Sequence, residues 1–384
     1  FDSVPSKGIH HGAIVDSIAL TETVARFLKD LRSRSGLRIK SVNVNISGQD
    51  IITKHSRAIV PLAERGNKVI APSDIQSADE QARVLGSSLD EEILHALPSA
   101  YSIDSKSNIL NPIGLYSHKL EVDLYLVCAK ISAIQSLSRS LYQAGYEIRK
   151  LSFSGLATAR VVFDEELREG VHLLCDIGSD TTELLLFNSG LLKDVEILSF
   201  GGNDLTSALQ EALKIPFELA EEIKRSHGII AESEQPRDDK EILVKKSGLY
   251  KPIRQKLVSE IVTSAGKQIC SQIKQAVEKK IPPYEVNDLR VVGRSVLLEG
   301  FIETLENSLS IPVSLGHISN PGIPVFAKEA EALSGMKYLT YLTSLGLICE
   351  ELGEKASGRQ LGPPTKNIIT KTFNRFKEMY QEYF

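Results

Sequence analysis

The chain has 384 residues, 42% of them hydrophobic and 24% charged, with a formal net charge of −4. That length exceeds what one core usually holds, so two or more lobes are expected, and the composition is that of an ordinary globular chain, for which disorder is not the default. The mildly acidic balance excludes a general attraction to nucleic acid or to an anionic membrane, so any membrane contact needs a local patch.

In chain order, FDSVPSKGIHHGAIVD opens without a clear domain start. His10-His11 is the one histidine pair; with no Cys or carboxylate cluster beside it, it reads as surface rather than as a metal site. The pattern predicts a helix over Thr21–Leu31, a strand over Ser41–Ile46 and a break at Ser47-Gly48. A block of different texture, Gln49–Cys128, follows. It reads as a polar strand (Ile51–Arg57), a helix (Ser77–Leu85) stopping at Gly86, and a second helix (Asp90–Ala96). Strands near Ala100–Asp104 and Glu121–Cys128 close it, with the turn Asn111-Pro112-Ile113-Gly114 between them. This is the pattern of a small α+β module inserted into a larger domain. A helix over Ile131–Ala144 and a strand over Ile148–Ser152 return to the host.

The informative stretch is VHLLCDIGSDTTELLLFNSGLLKDVEILSFGG, Val171 to Gly202. Strands are predicted over Val171–Cys175, Leu184–Phe187 and Leu191–Leu198, with a small polar bend after the first. Such a hairpin suits a nucleoside triphosphate. Gly178 lets backbone approach the phosphates, Thr181 and Thr182 offer hydroxyls, and Asp176 can hold Mg²⁺ through water. The same residues also suit an ordinary hairpin whose Asp and Thr side chains only brace the turn.

Helices are expected over Asn203–Leu213, with Asn203 or Asp204 where an N-cap would sit, and over Phe217–Arg225, closing on Gly228. A polar stretch, Glu232–Lys240, leads to a strand over Glu241–Lys245. In the helix Lys256–Lys280, Val258, Val262, Ala265, Ile269, Ile273 and Ala276 share one face, a core stripe. A strand from Leu289 ends in the turn Gly293-Arg294-Ser295, a helix and the strand Val313–Leu315 follow, and Tyr338–Ile348 is a last apolar helix. Gly and Pro then mark Glu351–Thr365 as a linker. Beyond it, Ile369, Phe373, Phe376, Tyr380 and Tyr383 recur at helical spacing, among Lys366, Lys371, Arg375 and Lys377. An interfacial membrane helix, a partner-binding helix and a helix docked on its own body all fit that pattern. Cys128, Cys175, Cys270 and Cys349 lack metal-ligand spacing and read as free thiols of a reducing cytosol. No signal peptide and no apolar run long enough to span a bilayer is present, so no membrane span is expected.

The order of motifs resembles the FtsA family of bacterial cell-division proteins, within the actin and Hsp70 ATPase superfamily. The resemblance spans nearly the whole chain. It is carried by Pro5-Ser6-Lys7-Gly8-Ile9, by Glu91 to Pro98, Tyr101 to Asp104, Asn111 to Gly114 and Leu120-Glu121, and by the central hairpin. Gly201-Gly202-Asn203, Leu205-Thr206, and Ala220 to Lys224 with Gly228 are similar to the family's segments around the nucleoside.

The resemblance implies an α/β, actin-like (ribonuclease-H-like) two-lobed fold with an inserted small α+β subdomain and a C-terminal amphipathic helix. Residues 1–48 and 129–169 would form the first lobe and 49–128 the insert, used in filament contacts. Residues 170–207 and 285–350 would form the second lobe, with 208–284 its upper subdomain, 351–365 a linker and 366–384 the membrane-targeting helix. ATP and Mg²⁺ are the implied cofactors. Asp176, as the metal's anchor, would hold them with Gly178, Thr181, Thr182, Gly201, Gly202, Asn203, Glu221, Lys224 and Gly293. Ile369, Phe373, Phe376 and Tyr380 would enter the membrane. Implied partners are the tubulin-like protein FtsZ, further copies of the chain in a filament, inner-membrane lipids and other division proteins, with no nucleic acid. The implied location is the cytoplasmic face of the inner membrane at the division site.

The departures from the family pattern concern the nucleotide. The family's opening strand and first phosphate loop would precede this chain's first residue, so one clamp is expected to be missing. Its second loop usually reads Asp-Ile-Gly-Gly-Gly-Thr-Thr-Asp, whereas Ser179-Asp180 replaces two glycines here and Glu183 the final Asp. Asp180 puts negative charge beside the phosphates unless a metal offsets it. In the adenosine-side turn, commonly Gly-Gly-Gly, Arg294 and Ser295 would crowd the nucleotide, or Arg294 would stack on the base. The chain as it stands is expected to bind ATP weakly or not at all. The competing expectation is an active ATPase of the superfamily, a sugar kinase or Hsp70-like chaperone. It lacks a candidate catalytic acid, and only a linker and one helix stand where a peptide-binding domain would be.

Overall fold

The computed structural model describes residues 1–357 except 64, 65, 105, 164–166, 168, 231–240, 247, 248, 321, 322 and 324–330. The expected polar stretch Glu232–Lys240 and the terminal helix with Ile369, Phe373, Phe376 and Tyr380 lie outside the described residues. The chain divides into two compact units: Phe1–Ile9, Ala13–Arg160 and the chain from Thr343 make the first, and His10–Gly12 with Val161–Leu342 the second.

Two short strands, β1 (Ile9–His10) and β2 (Ala13–Ile14), form a ribbon. Helix α1 (Ser17–Ser35) starts earlier than its apolar pattern predicts because Asp16 caps it, accepting from the N–H groups of Ile18 and Ala19 at 3.0 Å each. It ends on Gly36 in the left-handed region. Strand β3 (Ser41–Ile46) has the expected bounds.

Strand β4 (Ile51–Pro61) opens the insert, followed by β5 (Lys68–Val69) and α2 (Pro72–Gly86). Pro72 at the first helical position and Asp74, which accepts from the Ala71 N–H at 2.9 Å, set the start of α2 ahead of the expected Ser77. Glu91–Ala96, expected to be helical, is instead the start of one long strand, β6 (Glu91–Ile103). After β7 (Lys106–Ile109) and β8 (Tyr116–Ser117), strand β9 (Lys119–Lys130) pairs with β6 antiparallel from Glu91↔Lys130 to Ile103↔Leu120. The irregularity at Pro98/Ala100 absorbs the proline, which has no N–H to give the ladder, and a second register shift lies at Ile93/His95. Pairing with β9 therefore overrides the helical propensity of Glu, Leu and Ala in that run. The sheet order is β4-β9-β6-β7, and α2 covers it through Ala78 and Ala82, both fully buried with Ile70, Leu120, Leu124 and Leu126.

Helix α3 (Ile131–Gln143) leads to β10 (Glu147–Phe153), parallel to β3, and to α4 (Ser154–Val162). In the second unit, β11 (Val171–Ile177), β12 (Thr182–Asn188) and β13 (Leu191–Leu198) form an antiparallel meander. Helices α5 (Gly202–Leu213) and α6 (Phe217–His227), the hairpin β14 (Glu241–Lys246) and β15 (Leu249–Arg254), and α7 (Gln255–Lys280) follow. Strand β16 (Asp288–Val292), helix α8 (Phe301–Leu309) and strand β17 (Val313–Leu315) complete a sheet of order β13-β12-β11-β16-β17. Alternate residues of β11, Leu173, Cys175 and Ile177, point into a core shared with the α7 stripe at Val258, Val262, Ile269, Ile273 and Ala276. The expected helix from Tyr338 begins as a 3₁₀ turn (Lys337–Thr340), and α9 (Leu342–Ser357) runs on from Leu342.

The expected linker start at Glu351 is therefore helical through Ser357. The reason is tertiary. A Cβ on Gly346 would lie 1.8 Å from the Ala157 carbonyl oxygen, so α9 packs backbone-to-backbone on α4. Glu350, buried, accepts from the Ser152 hydroxyl at 2.7 Å and pairs with Lys150 at 3.0 Å and Arg160 at 3.1 Å. Glu351 accepts from Asn43 Nδ2 at 3.4 Å and pairs with Arg149. These contacts put α9 from Thr343 in the first unit, where the resemblance implied the second lobe for residues 343–350 and a linker beyond them. In the same cluster the Phe153 N–H donates to Nε2 of buried His95 at 2.9 Å, and burial, with the Arg160 charge beside it, pushes the imidazole down to about 3. Cys128, Cys175 and Cys270 are buried free thiols, and burial pushes Cys128 up to about 11. No helix among the described residues is long and apolar enough to cross a membrane.

Candidate nucleotide site

Three glycine-bearing turns of the second unit meet at the end of β11. The Gly178 N–H donates to the Thr181 carbonyl at 2.9 Å, which closes the bend between β11 and β12. A Cβ on Gly201 would lie 2.6 Å from the carbonyl oxygens of both Gly178 and Ser179, and one on Gly202 would meet the Ser295 hydroxyl at 2.2 Å. Gly293 has φ +96°, and a Cβ there would sit 2.1 Å from the Ile177 carbonyl oxygen. The sequence-chosen Gly178, Gly201, Gly202 and Gly293 thus lie together with no room for a Cβ, against backbone at Gly178, Gly201 and Gly293 and against the Ser295 side chain at Gly202.

The polar groups have defined places. Asp176 is half-buried at the end of β11, opposite Glu183 of β12 and Val292 of β16 in register. Glu183 is buried and stands opposite Asp176 across the ladder. Thr181 is partly exposed. Thr182 is fully buried and its hydroxyl donates to the Phe200 carbonyl at 2.9 Å, so it braces the hairpin instead of facing a ligand. The N-cap of α5 is Gly201 rather than Asn203 or Asp204; Asp204 stands one turn in and accepts from the Gly201 N–H at 2.7 Å.

Lys224, only 5% exposed, donates to the Gly202 carbonyl at 2.9 Å and the Thr206 hydroxyl at 2.8 Å, and pairs with Glu221 at 2.6 Å. Burial holds the Lys224 ammonium below its ordinary range despite Glu221. Burial also pushes Glu221 up, but hydrogen bonds from Lys224 and Thr206 outweigh it and leave the carboxyl below its usual range. Glu221 and Lys224 therefore form a cross-brace between α6 and the start of α5.

A phosphate at a helix start needs free N–H donors, and those at the start of α5 are engaged within the chain. The Gly202 N–H donates to the Gly178 carbonyl at 2.9 Å and the Asn203 N–H to the Ser179 carbonyl at 2.7 Å. With Gly201 bonded to Asp204, the first amides of α5 already have acceptors. Asp180 adds a carboxylate at the bend. Its Oδ1 accepts from Asn203 Nδ2 at 2.8 Å, and its Oδ2 accepts from the His11 N–H at 3.2 Å and lies 3.6 Å from His10 Nδ1. With these amides engaged and the Asp180 carboxylate beside them, the start of α5 does not offer a phosphate the N–H groups of a helix N-terminus. The contacts of Asp180 with His10 and His11 were hidden from the sequence, which offered no carboxylate beside the histidine pair; the partner lies 169 residues away.

The chain matches the family described as "Cell division protein FtsA" over residues 173–345, and "SHS2 domain inserted in FTSA" over residues 48–128. It is 25% identical to the cell division protein FtsA of Pseudomonas aeruginosa over 364 residues, 93% of this chain and 84% of that one. With FtsA of Streptococcus pneumoniae it shares 25% identity over 350 residues, 90% of this chain and 75% of the relative. Among solved structures, a chain of the PilM-PilN type IV pilus biogenesis complex superposes with a TM-score of 0.60 at 16% identity, covering 90% of each chain. MreB5 of Spiroplasma citri bound to ADP superposes with a TM-score of 0.53 at 12% identity, covering 92% of this chain and 81% of that one. The fold is actin-like, with the SHS2 module inserted between β3 and α3.

Proposed function

Because this chain belongs to the FtsA family of cell-division proteins, we propose that it is an actin-like scaffold that assembles on the inner membrane and tethers FtsZ to it at the division site. The observation that carries the reading is the pair of family matches, one on the insert and one on the second unit, beside relatives of that family that align over most of this chain. Head-to-tail stacking of such subunits is a heterologous contact that propagates into filaments.

Adenine nucleotide is the ligand class of the second unit, by analogy with the ADP held by MreB5. The engaged amides of Gly202 and Asn203 and the charge of Asp180 support weak binding, and they weigh against the alternative of an active ATPase. Membrane attachment is assigned to the 366–384 pattern, where Lys371, Arg375 and Lys377 reach anionic headgroups at about 1 kcal/mol each near the surface. One such helix binds reversibly, and a filament multiplies the anchors. Co-sedimentation with anionic liposomes is the test. Wild-type protein should pellet and Phe376→Glu, which puts a charge in the apolar face, should stay in the supernatant; equal pelleting refutes the anchor.

A further inference from the structure

We propose that His10, His11 and Asp180 form a binding site for a divalent transition-metal ion of the zinc class. One ring nitrogen from each imidazole and one carboxylate oxygen lie within 4.8 Å of one another, all in the second unit. Two imidazoles and a carboxylate are a donor set that favours zinc over the all-oxygen preference of Mg²⁺ or Ca²⁺. Three protein ligands leave a fourth position for water.

The backbone presents both rings deliberately. His11 and Gly12 are the central residues of the two-residue turn between β1 and β2, with φ of +48° and +77°. Positive φ at both positions is what a type I′ turn requires, and it is usually supplied by Asn-Gly or Asp-Gly. Histidine there holds its ring beside that of His10, the two centroids 4.5 Å apart and nearly parallel. Asp180 meets them from the β11–β12 bend.

The surrounding hydrogen bonds have the form of an outer shell. Asn203 Nδ2 holds Oδ1 of Asp180 at 2.8 Å, which orients Oδ2 toward the histidines. His11 Nδ1 lies 3.1 Å from the Asp180 carbonyl oxygen; where Nδ1–H donates there, Nε2 carries the bare lone pair for a metal. Tetrahedral coordination at about 2.0–2.1 Å per bond brings ligand atoms roughly 3.3 Å apart. The donors must therefore close by up to about 1.5 Å, and exposed imidazole rings can make that movement by rotating about χ1 and χ2. The site rests on these contacts alone and not on the reading of nucleotide or membrane binding.

The experiment uses the full chain without a histidine tag, titrated calorimetrically with ZnCl₂ and, in parallel, spectroscopically with CoCl₂. One equivalent should bind, with the d–d absorption of four-coordinate cobalt. The double variant His10→Ala/His11→Ala, whose side chains are exposed so that folding is retained, should lose that equivalent. Asn203→Ala should weaken it about tenfold by releasing the carboxylate. MgCl₂ should give no heat that the double variant removes. Absence of binding, or isotherms that are the same for wild type and the double variant, overturns the site.

Discussion

Replacing Gly293 by alanine tests whether the three turns of the second unit are held by backbone contact. Gly293 has φ +96° and ψ 162°, a region essentially restricted to glycine, and forcing a Cβ into it costs about 1–3 kcal/mol. The new methyl would lie 2.1 Å from the Ile177 carbonyl oxygen and 2.8 Å from its carbon. Ile177 cannot swing aside, because it is paired with Thr182 at the end of β11. Overpacking against an immobile neighbour adds about 1–3 kcal/mol, so the variant should lose about 4 kcal/mol. With a urea slope of about 2–3 kcal/mol/M, the midpoint should fall by about 1–2 M. Gly335→Ala in the same unit is the control: φ is +57° and nothing lies within 4 Å, so only the conformational cost of about 1 kcal/mol applies. Equal midpoints for the two variants would refute the claim that backbone proximity sets this turn.

Acid should destabilise the first unit through His95. Its folded value, about 3, lies below the unfolded one of about 6.5. Between those values the unfolded chain binds the extra proton, so stability is full above about pH 6.5 and falls by at most about 1.4 kcal/mol per pH unit below it. His95→Gln keeps an acceptor for the Phe153 N–H without titrating, so urea midpoints at pH 7.5 and 5.5 should diverge less than in wild type; parallel slopes refute the assignment. Asp180→Gly should raise Mg-ATP affinity at least tenfold by removing a carboxylate from the bend, and unchanged calorimetric titrations would remove charge as the obstacle. In that background Asp176→Ala should weaken whatever Mg-ATP binding appears, and a Kd unmoved by the substitution would exclude Asp176 as the cation's anchor.

The meander of β11, β12 and β13 was legible because apolar runs and turn residues there agree with the pairing partner each strand finds. The α7 stripe was legible for the same reason, since its 3.6 period and its burial coincide. Glu91–Ala96 misled because its residues favour a helix while the decisive partner, β9, begins sixteen residues beyond the end of β6. The glycines of the candidate site were recognisable by type, but not that they close on one another and occupy the α5 amides. Those bonds join turns some twenty residues apart, and no local pattern encodes them. Glu221 and Lys224 were expected beside the nucleoside, whereas their attachment to Thr206 and Gly202 depends on how α5 and α6 cross, which no local pattern encodes.

The contacts at the end of α9 determine where a mechanical load would enter the first unit. Tension on the chain beyond Ser357 is transmitted down the helix to Glu351 and Glu350, which are tied to Arg149, Asn43, Lys150, Arg160 and Ser152. Five partners on these two adjacent residues share such a load. Behind them, the seat of Gly346 on Ala157 leaves no gap for α9 to slide through. An anchor fastened to the far end of this chain would therefore pull on a fixed lever, and the force would reach β10 and α4 before it reached any loop.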